Sequence, residues 1–105
     1  MPRLLSRSEV STRLKSLKGW KHDGAFIVKT FEFPTFMKGI AFIRKVAVVA
    51  EREEHHPDIH VRYTAVTLSV QTHSEGGVTE WDLELAAAVE KMLKGKEEDS
   101  RVRRR

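Results

Sequence analysis

His55-His56-Pro57 and a third histidine, His73, are the residues of this chain whose types and spacing could do chemistry. Free imidazole titrates near pH ~6.5, so it can donate or accept a proton at neutral pH with little driving force lost. Glu51 lies one helical turn before His55 and can share a helix face with it, where a carboxylate would orient the ring. His73 stands just ahead of Gly76-Gly77, at the end of a strand-like run, where side chains project from a sheet end toward a pocket. Proton transfer is one reading of this set, and two others fit the same residues. His-His-Pro can be a helix C-terminus at which cationic imidazole meets the helix dipole. Two histidines and a carboxylate are also a known metal-ligand set, although adjacent histidines tend to diverge. His22 and His60 fall outside the cluster and read as surface residues, while Trp20 and Tyr63 read as core or pocket-wall aromatics.

The elements that must position these residues can be read from pattern. Ser6 and Glu9 have capping-box spacing, with Leu5 and Val10 placed as its staple, so a helix starts near Arg7. Val10, Leu14 and Leu17 form its stripe, and Gly19 is its expected stop. Asp23-Gly24 predicts a tight hairpin between Trp20-Lys21-His22 and a strand over Ala25 to Phe33. Phe36, Ile40, Ile43, Ala47 and Ala50 recur at helical steps and predict a long central helix buried along that stripe. Pro57 ends it, because proline forces the preceding His56 into an extended conformation or a turn. From Ile59 to Thr72 β-branched residues alternate, with a parity switch near Thr64-Ala65 that predicts a turn or bulge between two strands. Thr79 and Asp82 repeat the capping-box spacing, which by itself explains Asp82 as a capping residue. The last helix runs from about Glu80 on a stripe of Leu85, Val89, Met92 and Leu93, with Gly95 at its C-terminal cap. The expected fold class is therefore α+β, a four-stranded antiparallel sheet with three helices on one face in the order α-β-β-α-β-β-α.

Composition narrows the function classes. The 105 residues suit a single domain over 1–95, followed by a charged tail over 96–105 expected to be disordered. The net charge of +4 is partly a tail property, since residues 1–95 hold 14 basic and 12 acidic residues, and it is too small by itself to argue for a nucleic-acid partner, which is not expected. The chain has no cysteine, which excludes a thiolate nucleophile, a disulfide framework and a cysteine metal site. No run approaches the roughly 18 apolar residues of a membrane span, and Met1 to Ser6 opens no signal peptide. A soluble cytoplasmic protein with no membrane partner is the expectation.

Taken together, Glu51-x-x-x-His55-His56-Pro57, Tyr63, His73 and Asp82, in this order and spacing, resemble the signature of pterin-4a-carbinolamine dehydratases. Gly19-Trp20, Phe31-x-Phe33-x-x-Phe36, Ala41-Phe42, Thr72-His73 and Gly77-Val78-Thr79 extend the resemblance from Trp20 to about Glu90. The resemblance implies a dehydratase with no metal or other cofactor. Its pterin substrate would be 4a-hydroxytetrahydropterin, converted to quinonoid dihydropterin and water on an antiparallel sheet with three helices. It implies His55, His56 and His73 as the active-site histidines; which ring plays which part is not readable from the sequence, and the expectation is that His55 and His73 share the acid and base roles while His56 binds the pterin. Glu51 and Asp82 become supporting carboxylates, Pro57 fixes the turn and Trp20 walls the pocket. It further implies a homodimer or homotetramer, and a possible protein partner, because family members also act as protein-binding or assembly cofactors. Ser74-Glu75-Gly76 departs from the pattern by adding a negative charge beside the presumed pocket, and the tail lies outside the resemblance.

Overall fold

A computed structural model describes residues 2–95, and the expected tail at 96–105 lies outside them. The chain forms α1 (Arg7–Leu14), β1 (Lys21–Asp23), β2 (Phe26–Glu32), α2 (Phe36–Glu53), β3 (Asp58–Arg62), β4 (Ala65–Val70) and α3 (Glu80–Leu93), with a short 3₁₀ turn at His73–Glu75. The four strands make one antiparallel sheet in the order β1-β2-β4-β3. Among the described residues no helix is long and apolar enough to cross a membrane.

Alternation decides the register. Ile27 opposes Val70 and Phe31 opposes Val66 across β2 and β4, so these buried side chains share the helix-facing side with Leu68. A slip of β4 by one residue would turn Val66, Leu68 and Val70 to solvent, which makes the pairing strongly specified. Val46 of α2 and Leu85 and Val89 of α3 close the same core. At roughly 1.5–3 kcal/mol for each such side chain buried, this cluster supplies the main favourable free energy of the fold.

The buried stripe of α2 is not the expected one. Gly39, Phe42, Val46, Val49 and Ala50 face inward, whereas Phe36 is exposed and only Ala50 is shared with the stripe read from the sequence. This helix has apolar residues on two adjacent stripes, and packing chooses between them. Gly39 faces β4, where a Cβ would sit at an ordinary packing distance of 3.5 Å from Val66 Cγ2. Phe42 meets Phe31 and Phe33 at ring-centroid distances of 4.7 and 4.9 Å, within the favourable range for aromatic pairs.

The first helix also stops earlier than expected, at Leu14. Lys15, Ser16 and Leu17 then bond back three residues, to Thr12, Arg13 and Leu14, so the chain tightens before it reaches Gly19. Gly19 has φ +87°, and a Cβ there would lie 2.8 Å from Lys29 Cε, so glycine serves both the backbone and the neighbour. α1 is tied to the start of α3 by Arg13, which forms a fork-like pair with Glu80. That guanidinium holds the Glu80 carboxyl below its ordinary range, and Arg3 draws Glu9 down to about 2 at the start of α1.

Candidate active site

Three separate chain segments deliver the site. α2 ends in Glu54, a non-glycine residue in the left-handed region (φ 56°), whose N–H is still bonded to the last turn. Such a residue costs roughly 1–2 kcal/mol of local strain, and strain of this kind tends to collect at functional sites. His55 follows immediately and is held by its own N–H to Ala50 O at 3.1 Å. The helix has thus ended at Glu53, ahead of the stop expected at Pro57, and Pro57 follows His56 and leads into β3.

The second segment is Gln71-Thr72-His73, where β4 ends. Thr72 N donates to Gly77 O at 2.9 Å, and Gly76 at φ +72° reverses the chain around the 3₁₀ turn. This closed loop sets Thr72 beside the third segment, the capped start of α3. Both capping boxes expected from the sequence are formed, Ser6 with Glu9 and Thr79 with Asp82.

Asp82 is the centre of the arrangement. It is fully buried, and its two oxygens divide their work. Oδ2 accepts from Thr79 N at 2.7 Å and from the Thr72 hydroxyl at 2.8 Å, while Oδ1 meets His55 Nε2 at 2.6 Å. A carboxylate only accepts, so the hydrogen of this last bond belongs to His55 Nε2, and Nδ1 is left as the nitrogen that can gain or lose a proton. Thr72 spends its proton on Asp82, so the Thr79 hydroxyl, 2.7 Å away, donates to Thr72 and itself accepts from Trp81 N at 3.2 Å. Every hydroxyl in the buried network therefore has one direction. The His55 ring is fixed by a chain of bonds that reaches the helix backbone.

The other two histidines are held more loosely. His73 Nδ1 lies 3.2 Å from the side-chain amide nitrogen of Gln71, leaving Nε2 free. That amide can serve Nδ1 in either state, donating to a bare nitrogen or, turned over, accepting from Nδ1–H. His56 Nε2 pairs with Glu51 Oε2 at 2.6 Å, and both side chains are well exposed. All three histidines line one shallow depression of ≈ 290 Å³ together with Glu54, Gln71, Thr72, Ser74 and Trp81.

Three sequence-based expectations change here. Glu51 pairs with His56 rather than His55, because the left-handed turn at Glu54 carries His55 off the helix face it would share with Glu51. Trp20 does not line the depression formed by this chain. It is buried against Phe31, with its indole N–H donating to Glu90 at 2.9 Å and Lys29 joining the same carboxylate at 2.7 Å. Tyr63 lies at the β3–β4 turn with φ 51° and is largely exposed, outside the depression. Gln71, Thr72 and Trp81 were not singled out by chemistry in the sequence. Thr72 could have been suspected from its spacing to Asp82, but the contacts of Gln71 and Trp81 exist only once the loop closes.

Among the described residues, no group of three or more histidine, aspartate or glutamate side chains is arranged to hold a metal ion.

A family model described as pterin 4 alpha carbinolamine dehydratase matches residues 3–92. A protein of Roseiflexus castenholzii, provisionally named a pterin-4-alpha-carbinolamine dehydratase, is 45% identical over 93 residues, 89% of this chain and 100% of its own. A similarly named protein of Sulfolobus acidocaldarius is 42% identical over 88 residues, 84% of this chain and 97% of its own. The crystal structure of a transcriptional coactivator/pterin dehydratase from Brucella melitensis superposes with a TM-score of 0.81 at 33% identity, covering 86% of this chain and 98% of that one. A pterin dehydratase-like RuBisCO assembly factor of the alpha-carboxysome shares the fold alone, with a TM-score of 0.60 at 23% identity over 70% of this chain and 88% of its own. By the family model and these relatives, the chain belongs to the pterin 4 alpha carbinolamine dehydratase family.

Proposed function

We propose that this chain dehydrates a 4a-hydroxytetrahydropterin to a quinonoid dihydropterin and water by histidine general acid–base catalysis, as a step in recycling a pterin cofactor. The observation that carries the reading is His55 held against the buried Asp82 in a depression shared with His56 and His73. In the reaction the C4a–O bond breaks, the leaving oxygen takes a proton, and the adjacent ring nitrogen gives one up as the C=N bond forms. His55 Nδ1 takes the nitrogen's proton, and the buried carboxylate at Nε2 stabilises the imidazolium that results. His73 Nε2 delivers the proton to the leaving hydroxyl and is recharged from solvent, to which this ring is open. His56, steadied by Glu51, binds the polar edge of the pterin. The test is stopped-flow mixing of the purified protein with freshly generated 4a-hydroxytetrahydropterin in the presence of a chelator. Formation of the quinonoid product should accelerate in proportion to protein. Absence of acceleration with several pterins would overturn the reading, and activity that the chelator abolishes would favour a metal mechanism.

A protein-binding or assembly role with little turnover is the second reading, favoured by the exposed apolar side chains Phe36, Met37 and Val48 on α2 and Tyr63 beside β3. Stoichiometric co-purification of a partner by a protein without turnover would support it.

The sheet edge bears on self-association. All five residues of β3 are exposed, and β3 is an edge strand, a ready template for pairing. An antiparallel pair of β3 strands with its two-fold axis at His60 sets Asp58 opposite Arg62 of the second copy at both ends, and Ile59 opposite Val61. On this basis the chain forms a homodimer, or a tetramer built from it. Sedimentation equilibrium should show Asp58→Arg weakening the dimer and the double variant Asp58→Arg/Arg62→Asp recovering it. A monomeric wild-type protein, or equal assembly by all three, would rule this register out.

A further inference from the structure

The geometry points to Trp81 as the residue that positions the pterin ring, by offering an aromatic surface on which the ring stacks; this inference rests on the pterin reading of the site. Trp81 is the second residue of α3, directly before Asp82. Its neighbour points into the core and is fully buried, whereas the Trp81 side chain is 45% exposed. Large apolar side chains at a helix start are expected to lean back over the preceding turn, because Cα–Cβ bonds tilt toward the helix N-terminus. Here the preceding turn borders the depression, and Trp81 lines it with the three histidines.

The indole is not loose. Its ring stands 5.9 Å from the His55 ring at an interplanar angle of 65°, an edge-to-face contact. Its backbone N–H is the end of the hydroxyl chain that runs through Thr79 and Thr72 to Asp82. Trp81 and His55 are thus set by the same buried network, one from the backbone and one from the ring. A flat heteroaromatic ligand laid against the indole would meet His55 at its edge, where proton transfer to or from a ring nitrogen takes place. The delocalised 2-amino-4-oxo edge of a pterin stays flat whether or not C4a carries hydroxyl. Stacking on it therefore contributes to substrate binding and placement rather than to bond breaking.

This site takes fused, planar nitrogen heterocycles, and Trp81 gives it that preference. The experiment measures the affinity of wild type, Trp81→Phe and Trp81→Ala for 7,8-dihydropterin by calorimetry, and kcat and KM with 4a-hydroxytetrahydropterin. Losing one stacked aromatic is expected to weaken binding on the order of 10-fold or more in Trp81→Ala and to raise KM alike, with kcat changed less than KM. Trp81→Phe should recover most of the loss, and melting temperatures should stay together, since the side chain is not part of the core. The chain has two tryptophans and the other is buried. Dihydropterin should therefore quench an exposed, red-shifted emission in wild type that Trp81→Phe lacks. Equal affinity and equal KM for wild type and Trp81→Ala overturn the inference while leaving the dehydratase reading intact. A wild-type protein that neither binds dihydropterin nor turns over removes both.

Discussion

Asp82→Asn will lower both the melting temperature and the turnover of this protein, and it is expected to be the most damaging single isosteric change in the site. The substitution keeps the shape but replaces one acceptor oxygen by a donating NH₂ group. The carboxylate accepts from His55 Nε2, from the Thr72 hydroxyl and from Thr79 N, all in a place without water contact for Asp82. Whichever way the amide turns, a donor faces a donor. If it faces His55, the ring must flip its tautomer or lose the bond, and Nδ1 no longer presents a lone pair. If it faces Thr72 and Thr79 N, a buried backbone N–H is orphaned, which costs roughly 1–3 kcal/mol. For a domain of this size that corresponds to a fall in melting temperature on the order of 4–20 °C. Turnover should fall by about 10²-fold or more, the scale of one general acid–base contribution. Thr79→Ala separates the two effects. It removes a hydroxyl from the network but leaves Thr79 N on Asp82, so it should cost stability, about 1 kcal/mol for a lost cap, with a much smaller loss of rate. Calorimetry and stopped-flow rates on the two variants decide the matter, and equal rate losses in both would show that Asp82 acts through folding alone.

The second large effect is expected from the two histidines proposed to exchange protons. His55→Ala and His73→Ala should each slow dehydration by roughly 10²–10⁴-fold, because each removes one of the two proton transfers. The double variant should be slowed by less than the product of the single losses, since residues that act as a unit in one step are non-additive. His56→Ala should differ in kind. Its partner Glu51 is exposed, and exposed pairs of this sort are worth roughly 0–1 kcal/mol, so the change should appear in KM more than in kcat. Rates measured at saturating and limiting substrate distinguish these outcomes. A His73→Ala protein with wild-type kcat would remove His73 from the chemistry and leave His55 to perform both transfers.

Local signals in the sequence were reliable where one residue acts on its own neighbours. The two capping boxes are present as read, because each depends on contacts within a few residues; the hairpin expected at Asp23-Gly24 forms one residue later, around Gly24-Ala25 with Asp23 paired to Phe26, and the central helix ends at Glu53, before it reaches Pro57. The order of helices and strands follows from these and from the alternation in β4. The inward stripe of α2 was not legible. That helix carries two apolar stripes, and the packing of Phe42 against Phe31 and Phe33 selects one. The same limit applies to the site. The identities of His55, His56, His73 and Asp82 could be taken from the sequence, but their pairing could not. Glu51 was the plausible partner of His55 on helical spacing, and the left-handed Glu54 breaks that spacing by turning the chain before His55. Trp20 was legible as a core or pocket-wall aromatic, but the sequence could not choose the core, because its bond to Glu90 spans 70 positions. Trp81 was passed over because beside a capping residue an exposed aromatic reads as ordinary surface until the loop from Gln71 is folded back upon it.

The double employment of Asp82 has a consequence for descent. One carboxylate caps the last helix and also holds the His55 ring proposed to react, so a lineage that gives up turnover for a scaffolding task still needs it in order to fold. His73 has no such second duty, since its side-chain contact is with Gln71 on an exposed turn. Loss of catalysis should therefore be recorded first at His73 and last at Asp82. Among relatives with this fold, retention of the aspartate says that the helix is capped, and only retention of the histidine opposite it speaks for an enzyme.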